Sequence, residues 1–199
     1  LVKLIRQENP DLLLLDAGDI FQGTPYFNIY GGKVELKLMS KMGYDAAAFG
    51  NHEFDNGMDG FLNVLPYADF PFLAANYDFS ETILKNKVKP YVIKEKNGKR
   101  IGIYGLGIQF EGLVSRAMYG DTIFIDPIEK AREVLRQESE KLAQSDDRII
   151  EGPIVLGVTD LGNSDVVLSV LAKTVPMEQW AVEREMRKAY KLAFDREGI

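Results

Sequence analysis

Two short stretches of this chain carry side chains whose types and spacing suit catalysis. The first is Gly18-Asp19, within LDAGD. The second is Gly50-Asn51-His52-Glu53 followed by Asp55, within GNHEFDNG. A carboxylate, an amide carbonyl and an imidazole form a donor set that suits Mn²⁺, Fe or Zn²⁺ better than a soft metal. A glycine before each polar group lets the backbone approach an ion without a Cβ in the way. Taken singly, a Gly-Asp after a strand is usually a turn, and a lone histidine is more often structural than catalytic. Both loops in this order, each after an expected strand, favour a site for metal and phosphate.

Composition narrows the chemistry further. The chain has 199 residues, one histidine, no cysteine and a net charge of −6. The absence of cysteine excludes a disulfide framework, a cysteine-ligated zinc and a thiol nucleophile. A single histidine excludes any complete site built on several imidazoles. The negative charge gives no support for nucleic-acid binding. An apolar fraction of 46% suits a globular chain, and no apolar run approaches the roughly 18 residues of a membrane span.

The elements that must position these loops follow from periodicity. Residues 1–9 form the end of an amphipathic helix stopped before Pro10. Residues 11–16 (DLLLLD) predict a strand buried on both faces. Residues 17–24 form the loop after it, and residues 33–42 form a helix. A short strand of small residues at 46–49 leads into the second loop at 50–57. A helix over 58–65 and a strand over 70–76 follow. Residues 91–96 and 101–106 form a hairpin around Asn97-Gly98, a type I′ turn signal. In open α/β sheets ligands bind beyond the carboxyl ends of the strands, where both polar loops fall. The order of elements predicts a layered α/β domain.

The pattern then changes. A helix over 128–142 leads to strands at 154–158 and 166–172, joined by a loop with Gly162 and Asn163, and to a long helix over 177–196. Trp180, Val182, Met186, Tyr190 and Phe194 are expected to form one apolar face packed on those strands. Neither end carries the signals of a natural terminus, so a fragment is expected at both.

LLLLDAGDIFQGT followed by GYDAAAFGNHEFDNG resembles the calcineurin-like metallophosphoesterases, in the branch of 5′-nucleotidases and bacterial metallophosphatases. The resemblance covers residues 1 to about 130, including FPFLAANYDFS and the hairpin ending in GIYGLG. It implies a dinuclear centre of Mn, Zn, Fe or similar ions, a phosphate ester or nucleotide as substrate, and attack by hydroxide on phosphorus. By it, Asp19 bridges the two metals. Asn51 binds the second metal and touches the phosphate. His52 faces the phosphate as an acid or a stabiliser of developing charge, Asp55 orients that imidazole, and Glu53 supports the loop. In such sites, two metals about 3.5–4 Å apart clamp both oxygens of an in-line displacement. The family's opening D-x-H motif and its later histidine motifs are not in this chain. The expectation is therefore that both metals are not held and that phosphatase activity is negligible.

VLGVTDLGNSDVVLSVLAKT followed by PMEQWAVEREMRKAYKLAFDREGI resembles the cytoplasmic C-terminal domain of small-conductance mechanosensitive channels, over about residues 138–199. That resemblance implies a packing role without chemistry and leaves room for homo-oligomers. The expected organisation is a metallophosphoesterase fragment at 1–130, a helical junction at 131–145 and a ferredoxin-like β-β-α segment at 146–199, spliced between Asp126 and Ser145. Three readings stay open. They are an incomplete phosphoester hydrolase, a channel cage segment with an unrelated extension, and a fusion, engineered or artefactual, without activity. The hydrolase resemblance implies export and the channel resemblance the cytoplasmic face of a membrane. Unpaired sheet edges predict marginal stability.

Overall fold

Helix α1 (Val2–Glu8) opens the computed structural model, which describes residues 1–162 and 165–197. These residues fall into two compact units, Leu1–Ile125 and Asp126–Ile199. In the first unit, β1 (Leu15–Asp16) enters the loop that carries Asp19. Helices α2 (Pro25–Tyr30) and α3 (Lys33–Met42) lead to β2 (Ala46–Ala48) and the second polar loop. Helix α4 (Gly57–Val64) then returns the chain to β3 (Phe72–Leu73). The three strands form a parallel sheet in the order β1-β2-β3, with Leu15 opposite Ala46 and Ala47 opposite Phe72. Both polar loops therefore leave the same end of neighbouring parallel strands.

The core beside this sheet is aromatic. Phe49, Phe54, Phe61, Phe72 and Phe110 are fully buried. Phe49 meets Phe61 edge to face, with ring centroids 4.8 Å apart, and Phe54 at 4.9 Å. Such pairs add about 0.5–1.5 kcal/mol each beyond their buried area. The small side chains of β2 are buried between larger neighbours: Ala47 belongs to the aromatic cluster, and Ala46 packs with Leu13, Leu73 and Ile103.

The structure departs from the sequence expectation at several places in this unit. The expected strand at 11–16 pairs only over Leu15–Asp16, Leu15 is 46% exposed, and among the described residues β1 pairs on one side only, with β2. Helix α2 is not expected from the sequence. Six residues are too few to show a period, although its signals are present: Thr24 Oγ1 accepts from Phe27 N–H, Pro25 opens the helix and Gly31 ends it in the left-handed conformation. The expected strand at 70–76 breaks after Leu73. There Asn76 donates to the Gly107 carbonyl at 2.7 Å and accepts from its N–H at 2.9 Å, drawing the chain out of the sheet. The chain continues as β4 (Tyr77–Asp78).

The hairpin forms around the expected turn, from β5 (Tyr91–Lys96) and β6 (Lys99–Tyr104), with Asn97 and Gly98 both at positive φ; β6 starts directly after Gly98 and runs two residues ahead of the expected 101–106. A short helix, α5 (Arg116–Tyr119), precedes β7 (Ile123–Phe124), which pairs antiparallel with β4.

In the second unit, Asp126 caps α6 (Pro127–Ser145) by accepting from Ile128 and Glu129 N–H. Strands β8 (Ile149–Leu161) and β9 (Val166–Thr174) form one long antiparallel hairpin, and α7 (Gln179–Glu197) closes the unit. Both strands run longer than their apolar cores suggest. Asn163, expected in the connecting loop, lies outside the described residues. The face of α7 also differs from expectation. Val182, Met186 and Ala193 are buried, whereas Trp180 is 55% exposed. Two residues turn a helix by roughly 200°, so Trp180 and Val182 cannot share a face. Among the described residues, no helix is long and apolar enough to cross a membrane.

Candidate active site

The Asp19 loop opens on a tight turn and continues through two residues at positive φ. Asp16 Oδ1 accepts from Gly18 N–H at 2.9 Å, an Asx turn that reverses the chain immediately after β1. Gly18 follows at φ +94°, and a Cβ there would stand 3.0 Å from the Gly50 nitrogen and 3.1 Å from the Ala48 carbonyl oxygen. Asp19 itself lies at φ +59°. This left-handed conformation is uncommon for a residue with a side chain, though Asp adopts it more readily than most.

The second loop comes against the first. A Cβ at Gly50 would stand 2.3 Å from Asp19 Oδ1, so the glycine of Gly-Asn-His is required by that carboxylate. Asn51 precedes a 3-10 turn, His52–Phe54, and its carbonyl accepts from Phe54 N–H. Asp19 Oδ1 accepts from His52 N–H at 3.0 Å. Asp55 Oδ2 meets His52 Nδ1 at 2.9 Å. With Nδ1 engaged, Nε2 is the ring atom left for a substrate, and the side chain is 32% exposed. The hydrogen bond that His52 Nδ1–H donates to Asp55 is the main cause that raises the His52 pKa above its ordinary 6.5, against the opposing effect of burial.

Glu53 is fully buried. Its Oε2 accepts from Gly50 N–H at 2.7 Å and Asp19 N–H at 3.1 Å, and its Oε1 from Ile20 N–H at 2.8 Å. Burial pushes its pKa up, while the three N–H groups pull the other way. Tyr77 lies close enough for the charges of Asp19 and Glu53 to act on it. Burial, with those charges, raises its phenol well above the ordinary value, so it stays protonated and donates to the Ile108 carbonyl at 2.5 Å.

The structure thus brings Asp19, His52 and Asp55 into one hydrogen-bonded group, with Asn51 adjacent in the chain. Two contributors lie outside the residues that the sequence singles out. Asp16 had a readable signal, its Asp-x-Gly spacing. Tyr77 had none, because its position depends on the break after β3.

The donor set can be tested against a dinuclear centre from its own chemistry. Asp55 is held by the imidazole, and Glu53 is spent on backbone N–H groups. Asp19 and Asn51 remain as donors. Among the described residues, no group of three or more His, Cys, Asp or Glu side chains converges as a metal site. These residues do not, by themselves, fit a metal ion.

A family model described as calcineurin-like phosphoesterase matches residues 1–170. That match runs through 126–145, where the sequence alone places a junction, and into β9. A 5′-nucleotidase of Vibrio cholerae is 34% identical over 161 residues, which are 80% of this chain and 27% of that protein. A snake venom 5′-nucleotidase of Gloydius brevicauda is 42% identical over 108 residues, 52% of this chain and 18% of that protein. The crystal structure of a 5′-nucleotidase precursor from Thermus thermophilus superposes with a TM-score of 0.60 at 34% identity, covering 74% of this chain and 28% of that one. The chain therefore spans less than a third of the length of each of these relatives.

Proposed function

We propose, from the premise that this chain belongs to the calcineurin-like phosphoesterase family, that it forms one side of a 5′-nucleotidase-type site for hydrolysis of a phosphate ester. The family is metal-dependent. In this reading Asp19 and Asn51 would be this chain's donors to the metal that polarises the phosphate ester, and the remaining donors are not supplied by the described residues. His52 presents Nε2 to a phosphate oxygen, where it can donate a proton or positive charge to the leaving group. Asp55 holds the ring in place and favours its charged form. The substrate class is a nucleotide, supported by the 5′-nucleotidase relatives, and an exported setting is supported by the venom relative.

The observation that carries this reading is the convergence of the Asp19 loop and the His52–Asp55 pair at the same end of β1 and β2. With two free donors, this chain alone is expected to be inactive. The purified chain, assayed with 4-nitrophenyl phosphate and Mn²⁺ or Zn²⁺, should hydrolyse no faster than His52→Ala. Turnover above that control overturns the inactivity. The site reading itself is tested by phosphate binding, which should perturb the His52 ring resonances of the native chain. Ring signals indifferent to phosphate would count against it.

A second reading concerns residues 146–199 and keeps the packing role that the channel resemblance implies. It is favoured by Ile154, Leu156 and Leu171, which the hairpin leaves exposed. Self-association visible in sedimentation velocity is its expected result, and a monomer at every concentration refutes it.

A further inference from the structure

A buried carboxylate that touches neither substrate nor solvent needs an explanation. Burying a charge is costly unless it is fully hydrogen-bonded. Glu53 meets that condition through three backbone N–H groups drawn from both polar loops. Gly50 belongs to its own loop, and Asp19 and Ile20 belong to the loop after β1.

The positions of those donors are informative. The N–H groups of Asp19 and Ile20 flank the two rotatable backbone bonds of Asp19. Fixing both against one carboxylate fixes φ and ψ of Asp19 together. Asp19 is the residue held at φ +59°, a conformation a side chain disfavours. From there its Oδ1 accepts from His52 N–H. His52 is joined covalently to Glu53, so the circuit closes: Glu53 holds Asp19, Asp19 holds His52, and His52 carries Glu53.

We propose that Glu53 is the positioning residue of this site, a clip that locks the Asp19 loop to the Asn51-His52 loop and thereby sets Asp19 and His52 as one unit. Its functional meaning rests on the phosphoester reading above. An ionised carboxylate is suited to the task because both oxygens only accept. An amide of the same shape turns one of them into an NH₂ group facing an N–H. With the NH₂ at Oε2 the clip loses the Gly50 and Asp19 bonds, one on each loop, and with it at Oε1 it loses the Ile20 bond, in either case without a change in volume.

Native-state amide exchange of the 199-residue chain tests this, with no metal or substrate present. A chain without hydrolytic activity therefore still decides the question. In the native chain, one opening should release the amides of Asp19, Ile20, Gly50 and His52 together, with protection factors within about threefold of one another. In Glu53→Gln, exchange of all four should rise by about tenfold or more while the far-UV spectrum is kept. The His52 amide is the deciding probe, because its acceptor is Asp19 and not Glu53. If Glu53→Gln releases Asp19, Ile20 and Gly50 but leaves His52 protected, Glu53 merely fills its own pocket and the proposal falls. Should the variant not fold, the native chain decides: protection differing by more than about tenfold among the four amides means the loops open separately and overturns the clip.

Discussion

The two units solve the same problem in opposite ways. In the first, the parallel strands are only two or three residues long and are held by side chains that reach backbone groups far away in sequence: Asp45 accepts from Leu14 N–H, Asn76 pairs with Gly107, and Glu53 spans both polar loops. Its interior is a cluster of interlocking aromatic rings. In the second, two 19-residue helices lie with a long hairpin, and ion pairs such as Arg187–Glu183 and Lys141–Glu138 run along exposed helix surfaces. Those pairs contribute little individually. The difference teaches where chemistry can be placed. Loops pinned by long-range bonds to backbone groups can hold a carboxylate and an imidazole at fixed separation, whereas a long-range bond of the second unit, between the hydroxyls of Ser139 and Tyr190 at 2.7 Å, ties one helix to another.

The strongest way to break the comparison is to remove the centre of the aromatic cluster. Phe49 is fully buried and touches Phe54, Phe61, Phe72, Tyr77 and Phe79. Phe49→Ala should cost about 3–5 kcal/mol, because a rigid ring cluster cannot collapse into the cavity. Denaturant titration followed by near-ultraviolet circular dichroism measures it. A cost under about 1 kcal/mol would show that the rings are loosely packed.

The matching change in the second unit is Leu135→Ala, at a buried position of α6. It should cost about 2–3 kcal/mol, the lower part of the range for such truncations, since helices resting on a hairpin can close part of the void. A cost equal to that of Phe49→Ala would mean that the two interiors differ in composition but not in rigidity.

The same contrast explains what the sequence made legible. Helices α3, α6 and α7 and the β5–β6 hairpin were visible because ten or more residues show a period, or because Asn97-Gly98 names its own turn. The two polar loops were visible because glycine beside Asp19 and Asn51 marks close approach of backbone. Glu53 was expected to support its loop, yet its three donors could not be read, since two of them lie more than 30 residues away. Helix α2 and the break at Asn76 were hidden for the same reason, being set by distant contacts or too short to be periodic. Trp180 lies off the buried face of α7 because it precedes Val182 by two residues, a spacing that shares a face in a strand and not in a helix.

A smaller effect tests whether local signals matter inside the first unit. Thr24 caps α2 through Phe27 N–H at 3.2 Å. Thr24→Ala should cost about 1 kcal/mol, typical of a lost cap. If α2 were held only by the burial of Phe27, no change would be measured and the helix would belong wholly to the tertiary fold.

The smallest effect concerns the site itself, and its sign follows from linkage. The His52 pKa is raised in the folded chain, first by the hydrogen bond that its Nδ1–H donates to Asp55. A histidine whose folded pKa exceeds its unfolded one binds protons more tightly when folded, so its stabilising contribution is complete below the unfolded pKa, near 6.5. It is lost as pH rises through the folded value. Asp55→Asn removes the carboxylate that holds the charged ring, so His52 should titrate at lower pH and stability should lose that pH dependence. Because the chain has one histidine, its ring resonances are unambiguous and the titration can be followed directly by NMR. An unchanged midpoint in Asp55→Asn would show that Asp19 and Glu53, and not Asp55, set the charge of the ring. The site would then be a property of the two joined loops alone, with Asp55 a bystander on the second.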